Sequence, residues 1–204
     1  MISKRVNTLA ELETLYAKPL ESSVNKELSA LNEYYKAIIE ASPFVSIASC
    51  GPEGMDCSPR GDGAGFVHVI DDQTLAIPDR RGNNRLDTLR NIVVDPRVAL
   101  LFLVPGYNET LRVNGSAYLT SDETLLEQFE VKGNRPTTAI IIEIERVYFQ
   151  CARALKRSKL WDSSSYADVS SLPTAGTLIR SAIDDFDAEA YDDELQGRQA
   201  RTLY

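Results

Sequence analysis

Apolar positions recur at helical spacing over the first forty residues, and from Phe44 onward they recur at every second residue. Leu9, Leu12, Leu15 and Tyr16 share one helical face before Pro19 interrupts it. Leu28, Leu31, Tyr35, Ile38 and Ile39 then repeat at the same spacing up to Ser42-Pro43, so residues 8–41 are predicted to be largely helical. Phe44–Cys50 reads as a short strand ending in the turn residues Gly51-Pro52-Glu53-Gly54. Val67–Ile70 and Thr74–Ile77 flank Asp71-Asp72-Gln73 as a hairpin. Arg97–Val104 is almost wholly apolar, the pattern of a strand covered on both faces. From Leu111 to Leu119 apolar or small residues alternate with Arg112, Asn114, Ser116 and Tyr118, so Arg112 points away from the buried side. Thr138–Phe149 is the last strand, with Ile140, Ile142 and Ile144 opposite Glu143 and Glu145.

Helical patterns punctuate these strands. Arg85–Val94 places Leu86, Leu89 and Val93 together and stops at Asp95-Pro96. A second helix starts at Ser121, a suitable N-cap followed by acids that the helix dipole favours. Ala152–Trp161 is a third. Six strands with short helices between them, and no regular βαβ alternation, predict a closed antiparallel barrel with peripheral helices. Three segments follow: a helical stretch over 1–42, the barrel over 43–162, and a serine-rich then acidic stretch over 163–204. The last reads as a solvated helix with a frayed tail.

The composition fits a globular protein: of 204 residues, 43% are hydrophobic and 25% charged. The formal charge of −8 argues against a broad nucleic-acid or anionic-membrane footprint, although a small anion needs only a local cationic pocket. No apolar run has the length of a membrane span, and no signal-peptide core follows Lys4-Arg5, so a cytoplasmic protein is expected. Cys50, Cys57 and Cys151 suit neither a disulfide framework nor a zinc site. His68, the lone histidine, lies in an apolar strand-like run and reads as structural.

Against this acidic background the cations are unevenly placed. Pro78-Asp79-Arg80-Arg81-Gly82-Asn83-Asn84-Arg85 packs three arginines into six residues at a strand-to-helix junction. A helix start offers unpaired N–H groups and a positive dipole end, and arginines beside it add donors suited to phosphate. The alternative is a solvated basic loop paired with acids such as Asp79 and Asp87. A second island, Arg146–Lys159, holds five cations and no acid inside it, and runs on to Trp161, the only tryptophan. The third element, Cys57-Ser58-Pro59-Arg60-Gly61-Asp62-Gly63-Ala64-Gly65, reads as a loop able to approach a ligand closely.

The order of these pieces resembles the pyridoxamine 5′-phosphate oxidase-related, FMN-binding split β-barrel family. The likeness is carried by Ser58-Pro59-Arg60-Gly61-Asp62, by Asp79-Arg80-Arg81-Gly82-Asn83-Asn84-Arg85, and by Thr110-Leu111-Arg112-Val113-Asn114-Gly115. It extends over about Pro43–Trp161 and includes Cys151-Ala152-Arg153-Ala154-Leu155-Lys156. The resemblance implies a homodimer of six-stranded split barrels with FMN in the clefts between subunits. Arg60, Arg80 and Arg81 would then serve the FMN phosphate, and Asn84 and Arg85 the phosphoribityl chain. Ser58 and Asp62 would approach the ring system, with Arg112, Lys156 and Trp161 closing the cleft. Residues 163–204 lack the Arg-x-His substrate pattern of the vitamin B6 oxidases. The expected activity is therefore a general one: electron or hydride transfer between a nicotinamide donor or small substrate and FMN. The alternative is a non-catalytic binder or sensor of FMN or F420 on the same fold.

Overall fold

A computed structural model describes residues 4–204 of the chain. Helix α1 (Leu9–Leu15) opens on a capping box in which Thr8 and Glu11 satisfy each other's backbone N–H groups. A short α2 (Glu21–Val24) and α3 (Glu33–Ala41, capped by Asn32) follow. The helical pattern expected across Leu28 and Leu31 is not one helix. Leu28 exchanges two backbone hydrogen bonds with Val147, and the Leu31 N–H donates to the Asp72 carbonyl at 2.7 Å. Both residues face the barrel, which a bridged segment achieves as well as a helix would. Tyr35 and Ile39 are buried as the pattern implies, whereas Leu9, Leu12, Leu15 and Tyr16 of the α1 region stay exposed.

The barrel strands are β1 (Phe44–Gly51), β2 (Gly54–Gly61), β3 (His68–Val69) and β4 (Thr74–Pro78), then β5 (Arg97–Leu103), β6 (Thr110–Thr120) and β7 (Ala139–Gln150). They form one antiparallel sheet in the order β2-β1-β5-β6-β7-β4-β3. All six expected strands are present, and the seventh is β2, which the sequence disguises as a glycine- and proline-rich loop. It pairs with β1 residue for residue from Phe44↔Gly61 to Gly51↔Gly54. Pro59 is tolerated because β2 is a sheet edge, where a missing N–H need not break a ladder.

Side chains from β1, β4, β5, β6 and β7 meet in one core that includes Val45, Ile47, Leu75, Phe102, Val113 and Ile142. The sheet thus wraps a common interior while its edges, β2 and β3, remain unpaired with each other. That is an antiparallel split barrel with peripheral helices. On the outer side of β4 and β7, Leu126 and Phe129 cover Ala76 and Ile141. Their helix, α5 (Glu123–Glu127), is capped by Asp122 rather than Ser121, through a 2.9 Å bond from the Leu125 N–H.

Two expectations about burial need correction. Helix α4 (Asp87–Val94) buries Thr88, Leu89 and Ile92, while Val93 is 73% exposed and Leu86 precedes the helix. Strand β5 is covered on one face only: Val98, Leu100 and Phe102 are buried, Ala99 is exposed, and Leu101 and Leu103 are half-buried. Its apolar second face, expected to be covered, lies open in the single chain.

Beyond β7 come α6 (Arg153–Ser158), two 3-10 turns at Ser163–Ser165 and Val169–Ser171, α7 (Ala175–Arg180) and α8 (Ala188–Thr202). Helix α6 ends where Lys159 takes the left-handed conformation, two residues short of Trp161. The end of the acidic segment is docked, not frayed: the Tyr204 hydroxyl donates to Asp62 Oδ1 at 2.7 Å. Among the described residues no helix is long and apolar enough to cross a membrane.

Candidate functional site

The loop between β4 and α4 is held in an unusual shape. Asn84 and Leu86 both have positive φ, at 58° and 62°. For leucine, with its branched side chain and no local polar group, that conformation costs on the order of 1–3 kcal/mol. Leu86 is also the N-cap of α4 and supplies no side-chain cap, unlike Asn32, Asp122, Thr174 and Asp187 on other helices. The bare helix start opens onto a cavity of about 670 Å³ lined by β2, this loop, the first turn of α4 and the turn before β7. That volume lies within the roughly 300–1,000 Å³ of small-molecule sites.

Six of the ten sequence-predicted site residues line this cavity: Ser58, Arg60, Arg80, Arg81, Asn84 and Arg85. Their circumstances differ. Arg81 is exposed and makes no ion pair or side-chain hydrogen bond among the described residues. Arg85 pairs with Asp87 at 2.8 Å on the surface, as the solvated-loop alternative supposes for that residue. Arg80 is fixed in the wall, with Nε on Asp62 Oδ2 at 2.8 Å and Nη1 on the Phe129 carbonyl at 2.6 Å. Ser58 donates to Asp56, and so does Thr88 at 2.6 Å, so one carboxylate ties β2 to the start of α4.

Asp62 sits behind the lining as the partner of Arg80 and Tyr204. Burial pushes its carboxyl upward, but hydrogen bonds from Tyr204, the Gly63 N–H and Arg80 more than offset this and hold it below the usual value. Asp79 shows the opposite outcome: burial raises its carboxyl, and Arg60 at 3.9 Å only partly compensates. Arg60 itself is incompletely satisfied, because its Nε is buried and has no hydrogen-bond partner. An unmet buried donor costs about 1–3 kcal/mol.

Arg112, Lys156 and Trp161 stand apart from the cavity within one chain. Arg112 is on the outer face of β6, with its guanidinium 5.5 Å from the Tyr148 ring. Lys156 and Trp161 flank a shallower depression with Asn108 and Lys159, where Trp161 Nε1 donates to the Tyr107 carbonyl at 2.9 Å. His68 is half-buried against Phe129, ring centres 4.2 Å apart; burial and nearby Arg80 lower its pKa, favouring the neutral imidazole.

Sequence reasoning missed Asp56, Arg135 and Tyr204. Arg135 lines the cavity and reaches Glu127 only at 3.8 Å. The run Lys132-Gly133-Asn134-Arg135-Pro136 is a basic turn just before a strand, and that signal could have flagged it. Nothing local in the sequence points to Asp56 or Tyr204, which reach the site through tertiary contacts.

The cavity is therefore a cation-rich recess with an uncapped helix start and backbone strain in its main loop. No curated protein matches the sequence. Among solved structures the chain is similar to the HupZ protein of Group A Streptococcus, at 17% identity and a TM-score of 0.49 over 58% of this chain and 93% of that one. A Lactobacillus delbrueckii protein named for pyridoxamine 5′-phosphate oxidase aligns at 22% identity and 0.46, over 60% and 98% of the two chains. An FAD-binding protein of Mycobacterium smegmatis aligns at 12% and 0.40, over 60% and 97%. The model of the family described as pyridoxamine 5′-phosphate oxidase matches residues 31–151, well over half of the sequence and every strand of the barrel. On that match the chain belongs to the pyridoxamine 5′-phosphate oxidase family.

Proposed function

We propose that this chain is an FMN-binding flavoprotein that passes electrons or hydride between a nicotinamide donor or small substrate and the flavin. The observation that carries this reading is the gathering of Arg60, Arg81, Arg135 and the bare α4 start around one cavity. A phosphate dianion supplies acceptors to such donors, and a helix N-terminus adds a favourable dipole. Arg60 and Arg81 would hold the phosphate, Asn84 and Arg85 the phosphoribityl chain, and Ser58 the approach to the ring, with Asp62 behind the lining as the anchor of Arg80. Arg80, locked between Asp62 and Phe129, would shape the wall more than it grips the ligand.

Bound FMN supplies the redox chemistry; the protein's task is to bind it, orient it and exclude water. The open face of β5 supports a homodimer, because Ala99, Leu101 and Leu103 present an apolar strip with Ala48 and Phe44 beside them on β1. A second barrel laid there would cover that strip and could bring Arg112, Lys156 and Trp161 toward the first chain's cavity. A cation at the flavin's N1–C2=O edge would stabilise its anionic reduced form, and Arg112 or Lys156 is the candidate. The cleft between copies is where the small substrate would enter.

Anaerobic mixing of the FMN-loaded protein with NADH or NADPH tests the enzymatic half of the proposal. Rapid bleaching of the flavin bands is the expected outcome. Persistent colour with both donors and with a panel of small reductants would favour the non-catalytic FMN or F420 binder instead.

A further inference from the structure

The segment beyond the barrel carries one contact with the cavity, and that contact is specifically built. Helix α8 buries only Ala188 along its 15 residues, so little of its order comes from an apolar face. Its start is anchored to α7. Gly176 donates its N–H to Asp192 Oδ1 at 2.8 Å, and a methyl group at Gly176 would collide with the Ala188 carbonyl. Its other end is followed by Tyr204, which lines the cavity across 142 residues of sequence from its partner Asp62.

The partners of Tyr204 are themselves tied down. Asp62 and Arg80 form an ion pair at 2.8 Å with side chains only 8% and 17% exposed, and the Phe129 carbonyl holds the far side of the guanidinium. The Tyr204 hydroxyl donates to the second oxygen of that carboxylate, while Arg80 and Lys132 lie 5.7 and 5.3 Å from the ring centre. Both distances are within cation–π range. One side chain thus joins three separate parts of the chain: the end of β2, the loop after β4 and the turn before β7. With Tyr204 in place the cavity still measures about 670 Å³, so the phenol is part of its wall and not a plug.

We propose that Tyr204 is a binding residue of the cavity and the latch that holds the α7–α8 segment at its wall, slowing the release of the occupant. The identity of that occupant, a phosphate-bearing flavin, rests on the function proposed above; the latch itself does not.

The test compares wild type with Tyr204→Phe, which keeps the ring and removes the hydroxyl donor, and Tyr204→Ala, which removes both. Hydrogen–deuterium exchange of the ligand-free proteins comes first. The amides of Arg198–Thr202 should exchange about tenfold faster in Tyr204→Ala, with Tyr204→Phe between it and wild type; equal exchange in all three overturns the latch. FMN release by stopped flow comes second, and should be about tenfold faster from Tyr204→Ala. Equal release rates from the three FMN-loaded chains overturn the claim that the latch slows release. A wild type that binds no FMN, yet shows the exchange difference, upholds the latch and removes only the flavin.

Discussion

Replacing Arg81 with alanine is expected to weaken FMN binding tenfold to a hundredfold, about 1.5–3 kcal/mol, the value of a hydrogen bond to a charged group. The prediction is clean because Arg81 is exposed and holds nothing else among the described residues. Its loss should leave stability within about 0.5 kcal/mol, as for an ordinary surface substitution. Arg80 is a poorer probe. Its removal would strand the buried Asp62 carboxylate and free the Phe129 carbonyl, so an affinity loss could not be separated from damage to the wall. Arg85 is poor for a different reason, since Asp87 already neutralises it. Isothermal titration of Arg81→Ala with FMN, beside a thermal melt, checks the claim. Unchanged affinity would assign Arg81 to the solvated surface.

The second large effect concerns the fold. Gly115 lies where β6 and β7 shift register between Asn114 and Gly115, and it is buried between the neighbouring strands. A methyl group there would fall inside contact distance of the Glu143 carbonyl oxygen, 3.0 Å from the Glu143 carbonyl carbon and 3.3 Å from the Glu145 nitrogen. All three are backbone atoms of a central strand, so nothing can rotate aside. Glycine-to-alanine changes at unstrained positions stabilise by about 0.4–1 kcal/mol through the unfolded chain, which is too little to offset the collision. Gly115→Ala should therefore destabilise by about 3 kcal/mol, at the upper end of overpacking costs. With a urea slope of about 1–3 kcal/mol/M the midpoint falls by about 1 M or more. Gly63, where an added methyl meets nothing within 4 Å, is the control and should shift the midpoint little. An unchanged midpoint for Gly115→Ala would mean that the bulge relaxes freely.

The legible parts of this chain were those whose physics is local. The alternation through Leu111–Leu119 gave both the strand and the outward direction of Arg112, because side chains on a strand must alternate. The arginine run before α4 is legible as a concentration of charge at a helix start, and it lies in the cavity wall. Strand β2 was illegible for a reason that is also local: glycine and proline mimic a loop, and only the pairing with β1 reveals an edge strand. Leu28 misled because burial against a barrel sets the same spacing as burial of a helix face. The open face of β5 could not be foreseen either, since an apolar run says that both sides seek cover and not which molecule provides it. Tyr204 lay beyond any sequence signal, its partner being 142 positions away.

The central claim is that this recess holds a flavin through its phosphate, and a fluorescence titration of the purified protein with FMN, beside riboflavin, measures it directly. Saturable quenching with one FMN per chain is expected, with much weaker binding of riboflavin, which has the same ring but no phosphate. Equal affinity for the two, or a colourless protein that takes up neither, would contradict it.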